Sequence, residues 1–378
     1  MNKRQSTLGI LGGGQLGRMF TAAARTMGYD VMVLDPDPHA PAAHFANYHL
    51  KAAFDDPVAL QQLGQSCSAI TTEFENASAP AMEALTRFCP VRPGARAVAI
   101  AQDRILEKSF LVDNGFPVGP FVVARSAQEF RQAVPQIKYP AIVKTARFGY
   151  DGKGQVRVAS EAEALSLLAR QPELLPVVIE TLLPLRLEIS VILARSATGE
   201  VQLWPVAENR HHNGILDVTI APARVRDELA ERAQNIAREI ARCLDYVGVM
   251  AVEFFVTGID TLLVNEMAPR PHNSGHYTLD ACITSQFEQQ VRTLCGLPLG
   301  SPELLRPVAM VNLLGDLWQN GTPPWEVVFA EPLAKLHLYG KEEPRPGRKM
   351  GHFTVLGSSA NEALEKALAI RDKLAPQK

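Results

Sequence analysis

Glu253 and Glu266 are the residues whose spacing says most about chemistry. They lie in GVMAVEFFVTGIDTLLVNEM, residues 248 to 267, where two apolar, β-rich runs meet at Gly258 and Ile259. A two-residue turn with glycine first would pair Thr257 with Asp260 and hence Glu253 with Val264. Glu266 would then share a face with Glu253 and sit diagonal to it. Two carboxylates on one face of an apolar hairpin repel each other. A bound Mg2+ resolves the repulsion, because that ion takes a few carboxylate oxygens together with phosphate oxygens and water. Just beyond, Arg270, His272, Asn273 and His276 crowd into one loop marked by proline and glycine, suited to an anionic substrate beside the metal.

Phosphate chemistry is suggested by AIVKTARFGYDGKGQ, residues 141 to 155. An apolar strand runs into Lys144 and then a loop holding Gly149, Gly152, Lys153 and Gly154, whose backbone N–H groups can converge on an anion. It is not a Walker A sequence, since QVRV from Gln155 reads as a second strand and not as a helix. The segment is therefore either a hairpin lid over a nucleotide or an ordinary turn with solvated lysines.

Other candidates each admit two readings. Gly12, Gly14 and Gly17 satisfy GxGxxG, and Asp35 stands near a ribose-binding position. The loop can hold a dinucleotide, hold another phosphate, or simply pack a helix tightly on a sheet. Glu73 and Glu75 close TTEFEN at the end of a strand, as ligand-facing or solvated acids. Glu188 interrupts an apolar strand, where a structural partner is the first expectation. Asn209, Arg210, His211 and His212 lack a third metal ligand at helical or hairpin spacing and read as a polar loop near a nucleotide. Lys341, Arg345, Arg348 and Lys349 form either a phosphate site or a solvated basic turn.

The elements that must position these groups alternate throughout. Residues 7 to 35 read as a βαβ unit, 95 to 114 as a helix, and 121 to 193 as an α+β unit of its own. An amphipathic helix runs from about Arg226 to Leu244, and a final helix starts at Ala360. At 378 residues the chain exceeds the roughly 250–300 at which one core splits. A formal charge of -2 with 21% charged residues argues against nucleic-acid binding by bulk electrostatics. Five scattered cysteines fit a reducing cytosol. With no apolar run of the roughly 18 residues that span a bilayer and no signal-peptide pattern, a cytoplasmic protein without membrane contact is expected.

Taken together, ILGGGQLGRM, DPDPHAPA, TTEFEN, AQDRILEKSFL, GYDGKGQ, NRHHNGIL, VNEMAPRPHNSGH and YGKEEPRPGRKMGH resemble the ATP-grasp superfamily and, within it, the N5-carboxyaminoimidazole ribonucleotide synthetase family of purine biosynthesis. The chain departs from that pattern at Thr181 to Leu187, TLLPLRL, where more polar residues are expected. The resemblance implies α/β and α+β architecture. A Rossmann-like pre-ATP-grasp domain would occupy 1–104, an ATP-grasp small lobe with the lid 105–193, the large lobe with the metal site 194–298, and a C-terminal α+β domain 299–378.

It also implies roles. Arg104, Lys144 and Gly149, Tyr150, Asp151, Gly152, Lys153, Gly154 and Gln155 would hold ATP phosphates. Glu180, Thr181, Leu182 and Leu183 would line the adenine, with Glu188 at the ribose and His211 nearby. Glu253 and Glu266 would carry Mg2+, one ion or two, assisted by Asn265. Gln15, Leu16, Glu73, Asn76, Tyr150 and Asn273 would surround aminoimidazole ribonucleotide, its phosphate meeting Lys341, Arg348 and Lys349. Arg270 and His272 would face bicarbonate, with His272 a candidate for taking the amine proton, and the protein would be a homodimer. The implied reaction is ATP-dependent carboxylation of the amine through carboxyphosphate. The alternatives are a formate-dependent glycinamide ribonucleotide transformylase, which should carry an acid at position 15 and aspartate at 273, an NAD oxidoreductase, and a non-catalytic nucleotide sensor.

Overall fold

The computed structural model describes residues 6–74, 77–149 and 153–375. Its first sheet is parallel, with strands Tyr48–Leu50, Asp30–Leu34, Thr7–Leu11 and Ala69–Thr72 in that spatial order. The central strands are buried on both faces because helices cover both. Leu8, Ile10, Val31 and Val33 pack with Phe20 of helix Gln15–Thr26, whereas Met32, Leu34 and Ile70 pack with Leu60 and Leu63 of helix Pro57–Ser66.

The glycine loop between the first strand and helix is filled from within the chain. Gly13 donates its N–H to Asp35 Oδ2 at 2.6 Å, and Gly14 and Gly17 donate to the two oxygens of Glu73 at 2.5 and 2.8 Å. The amides that would cradle a pyrophosphate are thus taken by carboxylates of the same domain, and the dinucleotide reading fails on this geometry. Gly12 has φ +97°, and a Cβ there would collide with Glu73 Cγ and the Phe74 ring.

The second sheet is antiparallel, in the order Phe121–Ala124, Val177–Thr181, Ala141–Thr145, Gln155–Val158. Lys144 faces Gln155 across the last pair, so the glycine segment does close a hairpin. The third sheet has nine strands and runs Thr261–Ala268, Gly248–Thr257, Leu185–Arg195, Ala207–His212, Ile215–Ala221, Val308–Leu314, Lys349–Leu356, Ala334–Leu338, with Val201–Leu203 paired to Leu185–Arg195. A division at residue 193 falls inside one of its strands, and a division at 299 does not interrupt the sheet. Helix Asp227–Cys243 buries Leu229, Ala233, Ala237 and Ile240 against it, a stripe at helical spacing.

Two elements differ from the sequence expectation. The helix expected over 95 to 114 is two helices, Ala95–Ala101 and Arg104–Asp113. Asp103 leaves helical geometry and its side chain caps the second helix, accepting from the N–H groups of Ile105 and Leu106. Asn209 to His212 belong to a strand and not to a loop.

The helix Arg104–Asp113 ties the small sheet to the edge of the large one, and it does so with charged residues on its buried stripe. Glu107 Oε1 accepts from the Met267 N–H at 2.5 Å, and Lys108 Nζ donates to the Asn265 carbonyl at 3.0 Å, which satisfies outward-facing groups of the edge strand. Lys108 Nζ also lies 3.3 Å from Glu180 Oε1, while Lys144 Nζ lies 2.6 Å from Glu180 Oε2. Burial opposes ionisation of Glu180, but Lys144 and Lys108 outweigh it and hold the carboxyl at about 2. A depressed carboxyl contributes stability that is present above its unfolded value near 4.5 and lost as pH falls through about 2.

Two outcomes follow from these contacts. Lys108→Met should lower the unfolding free energy by roughly 3 kcal/mol at neutral pH, and the deficit should narrow as acid neutralises Glu180; urea titrations at pH 7 and pH 3 read both. Gly12→Ala should cost about 2–4 kcal/mol through its positive φ and the collision with Glu73, measured as a lowered denaturation midpoint.

Candidate functional site

The three sheets enclose a cleft of about 1350 Å³. That exceeds the roughly 300–1,000 Å³ of a single small-molecule pocket and leaves room for two substrates. Its walls bring together Gln15, Leu16, Glu73, Arg104, Lys144, Gly149, Lys153, Gln155, Glu180, Thr181, Leu182, Leu183, Glu188 and His211 with Glu253, Asn265, Glu266, Arg270, His272, Asn273, Lys341, Arg348 and Lys349. Tyr150, Asp151, Gly152, Glu75 and Asn76 lie outside the described residues. Gly154 is not in the wall itself; its carbonyl accepts from the Thr145 N–H at 2.8 Å and closes the base of the lid.

The carboxylate hairpin differs in register from the sequence expectation. Thr257 pairs with Thr261, so three residues form the turn, and Glu253 lies directly opposite Glu266. The register shift between Glu253 and Phe254 leaves Asn265 as the extra residue of a β-bulge, the device by which strands re-aim side chains beside active sites. The two acids are therefore closer partners than a regular ladder would make them. Burial first, and Glu266 second, push the Glu253 carboxyl up to about 7. Burial acts on Glu266 too, but Arg104, with Nη1 3.0 Å from Glu266 Oε2, outweighs it and keeps that carboxyl low.

This pair fits a hard divalent cation. The donors are carboxylate oxygens, and Asn265 Oδ1 is buried without a hydrogen-bond partner. Among the described residues no three His, Cys, Asp or Glu side chains are grouped to hold a metal. A protein contribution of two carboxylates suits Mg2+, which takes its remaining oxygens from phosphate and water.

Register explains the rest of the polar wall. Glu188 is opposite Asn209, Asn209 is opposite Thr219, and Ser190, two residues from Glu188, is opposite Glu253. Residues paired or two apart share a face, so one stripe of polar side chains crosses the middle of an otherwise apolar sheet. His211 Nδ1 lies 3.1 Å from Glu188 Oε2, and although burial opposes protonation, that contact raises the imidazole pKa. His272 Nε2 lies 3.5 Å from Glu253 Oε1, and Arg270 Nη1 donates to the Pro271 carbonyl at 3.1 Å.

At the other end of the cleft, Lys341 Nζ donates to Gln15 Oε1 at 2.5 Å and to the Lys349 carbonyl at 2.8 Å. The basic loop is braced by the Gly315 N–H on the Arg348 carbonyl and by the Gly347 N–H on Asp316 Oδ2, both 2.8 Å. Asn273 exchanges amide hydrogen bonds with Asn312, at 3.0 and 2.7 Å. His276 turns away from the cleft: it is fully buried, its ring centroid 5.0 Å from that of His352, and burial holds its pKa well below the ordinary value.

Several of these residues escaped the sequence reading. Glu107 and Lys108 had a usable signal, charges at positions i+3 and i+4 from Arg104 on the same stripe as Leu111. Asn312 is a lone amide in the apolar strand VAMVNLL. Asp316 carried none, since a short polar residue in a loop is ordinary.

Comparison with known proteins agrees with this architecture. Residues 5–102 match the ribonucleotide synthetase preATP-grasp domain, 109–287 the ATP-grasp domain, and 308–366 the phosphoribosylaminoimidazole carboxylase C-terminal domain. The N5-carboxyaminoimidazole ribonucleotide synthase of Bacillus subtilis is 42% identical over 361 residues, covering 96% of this chain and 94% of the relative. The Staphylococcus aureus N5-carboxyaminoimidazole synthetase complexed with ADP superposes with a TM-score of 0.90 at 39% identity, covering 98% of both chains. The Aspergillus clavatus enzyme in complex with ADP and 5-aminoimidazole ribonucleotide gives 0.88 at 31% identity, again over 98% of both. With homology of this extent over a cleft of this composition, the chain belongs to the N5-carboxyaminoimidazole ribonucleotide synthase family of ATP-grasp ligases.

Proposed function

We propose that this chain carboxylates 5-aminoimidazole ribonucleotide at the expense of ATP and bicarbonate, in purine biosynthesis. The single observation that carries the reading is the paired Glu253 and Glu266 carboxylates in the same cleft as Lys144 and the basic loop from Lys341 to Lys349. A nucleotide's phosphates and a second, phosphorylated substrate then have cationic partners at opposite ends. Arg104, Lys144, Lys153 and the lid would bind the ATP phosphates, Glu180 to Leu183 the base, and Glu188 with His211 the ribose side. Gln15, Glu73 and Asn273 would hold the aminoimidazole end, and Lys341, Arg348 and Lys349 its phosphate.

Bicarbonate is a poor electrophile, so activation comes first. A bicarbonate oxygen attacks the γ-phosphorus, the bond to the β-bridging oxygen breaks, and ADP leaves with carboxyphosphate formed. The exocyclic amine then attacks the carboxyl carbon, directly or as released CO2. Phosphate departs and the amine loses one proton. Arg270 and His272 would orient bicarbonate, and Lys144 would offset charge on the transferring phosphoryl group. Glu253 and Glu266, with Asn265, would hold Mg2+, which when bound neutralises phosphate charge. Closure of the glycine hairpin would keep water from the mixed anhydride. Among the described residues no helix is long and apolar enough to cross a membrane, and a cytoplasmic homodimer is what the family resemblance suggests.

ADP release with ATP, Mg2+ and aminoimidazole ribonucleotide should depend on bicarbonate; equal release with glycinamide ribonucleotide and formate would show the substrate to be misassigned. Gln15, neutral and bonded to Lys341, favours the first outcome. Glu266→Gln should abolish turnover while leaving the circular-dichroism spectrum and unfolding transition intact. Near-normal activity in that variant would refute the metal assignment.

A further inference from the structure

Behind His272 runs a chain of buried hydrogen bonds that no step of the reaction above uses. His272 Nδ1 is 2.8 Å from Ser274 Oγ and 3.3 Å from the Ser274 backbone nitrogen. A backbone N–H can only donate, so Nδ1 is the acceptor. The hydroxyl chain points the same way. Thr219 Oγ1 donates to Asn209 Oδ1 at 3.0 Å, which orients the Asn209 amide so that Nδ2 donates to Ser190 Oγ at 2.9 Å. Ser190 Oγ then donates to Ser274 Oγ at 2.9 Å, leaving the Ser274 hydroxyl hydrogen for His272 Nδ1. Thr219, Asn209, Ser190 and Ser274 are all at most 4% exposed, so no solvent competes for these bonds.

From this chain we infer that Asn209, Ser190 and Ser274 are positioning residues that fix His272 as its Nε2–H tautomer, a hydrogen-bond donor into the cleft and not the base that takes the amine proton. The neutral imidazole carries one proton, and with Nδ1 accepting, that proton is on Nε2, the nitrogen that faces Glu253. A donor there suits an oxyanion, here bicarbonate or the carboxyl end of carboxyphosphate, alongside the Arg270 guanidinium. A protonated Nε2 has no free lone pair to take the amine proton, and Nδ1 is walled off by Ser274. The amine proton must therefore leave to another acceptor, for which the departing phosphate has the right charge and timing. The inference rests on the placement of bicarbonate beside His272 proposed above, but the tautomer itself does not.

The test separates the two. Long-range 1H–15N correlation spectra of histidine-labelled protein, without substrates, should show His272 Nδ1 as the bare nitrogen and Nε2 as the protonated one. A protonated Nδ1 overturns the inference whatever the enzyme's substrate proves to be, whereas the bicarbonate dependence of ADP release judges the functional reading alone. Ser190→Ala and Asn209→Asp break or reverse the donor chain. Each should populate the other tautomer and lower kcat by roughly tenfold to a hundredfold, with the KM for ATP unchanged. Asn209→Asp places a charge in the sheet and can misfold, so Ser190→Ala, which removes one oxygen, is the decisive variant. Unaltered kcat and tautomer in folded Ser190→Ala would also overturn the inference.

Discussion

Two like charges forced together inside an apolar sheet are the constraint from which the rest of this structure can be understood. Glu253 and Glu266 face each other across one strand pair in the wall of the cleft, the first buried and the second half-buried. Such a pair cannot remain doubly ionised without compensation, and the protein supplies only part of it. Arg104 pairs with one acid and His272 approaches the other. What remains is an excess of carboxylate oxygen aimed into a cleft that also holds Lys144 and the basic loop, so the ligands that complete the balance are a cation and anionic phosphates together. The site is built to be electrically incomplete until both arrive.

The same logic orders the second layer. Glu107, behind Glu266, is pushed up to about 8 by burial and by Glu266 itself, against the opposing pull of Arg104 and Lys108. Its hydrogen bond from Met267, and that of Lys108 to the Asn265 carbonyl, grip the bulge from either side. A bulge loosens a ladder, and among the described residues the only outer pairing of this edge strand is the bridge from Val118 to Val264, short of the bulge. The helix Arg104–Asp113 therefore substitutes for a missing strand, and because Lys108 also reaches Glu180, the nucleotide wall and the metal wall share one rigid element.

How far this was legible in the sequence depended on range. The acid pair, the lid hairpin and the βαβ opening were all readable, because each is set by spacing within a few dozen residues. The partner of Glu253 was misjudged by two positions: the turn holds three residues and not two, and nothing in TLLVNEMA marks Asn265 as the residue that breaks a regular ladder. Asn209 to His212 looked like a loop because four polar side chains in a row fit no half-buried strand; the structure makes room by turning Asn209 into the polar stripe and His211 toward Glu188. The glycine loop matched a dinucleotide fingerprint, yet its ligand was Glu73, 59 residues from Gly14. A fingerprint records that amides are available, and only tertiary structure records what they hold.

Buried polar networks carry the finest information and are the hardest to read in advance. Serine, threonine and asparagine at positions 190, 219 and 209 are individually unremarkable residues in strands. Their meaning comes from register, which stacks them on one face and sets one donor-to-acceptor order from Thr219 through Asn209 to Ser190. A buried chain of this kind has a direction, and direction is chemical information: it decides which nitrogen of a distant imidazole holds the proton. The apolar sheet thus does more than carry the acids. By excluding water from the stripe it makes the orientation of four small side chains persist, and so lets the fold set the protonation pattern at the point where bicarbonate is expected to bind.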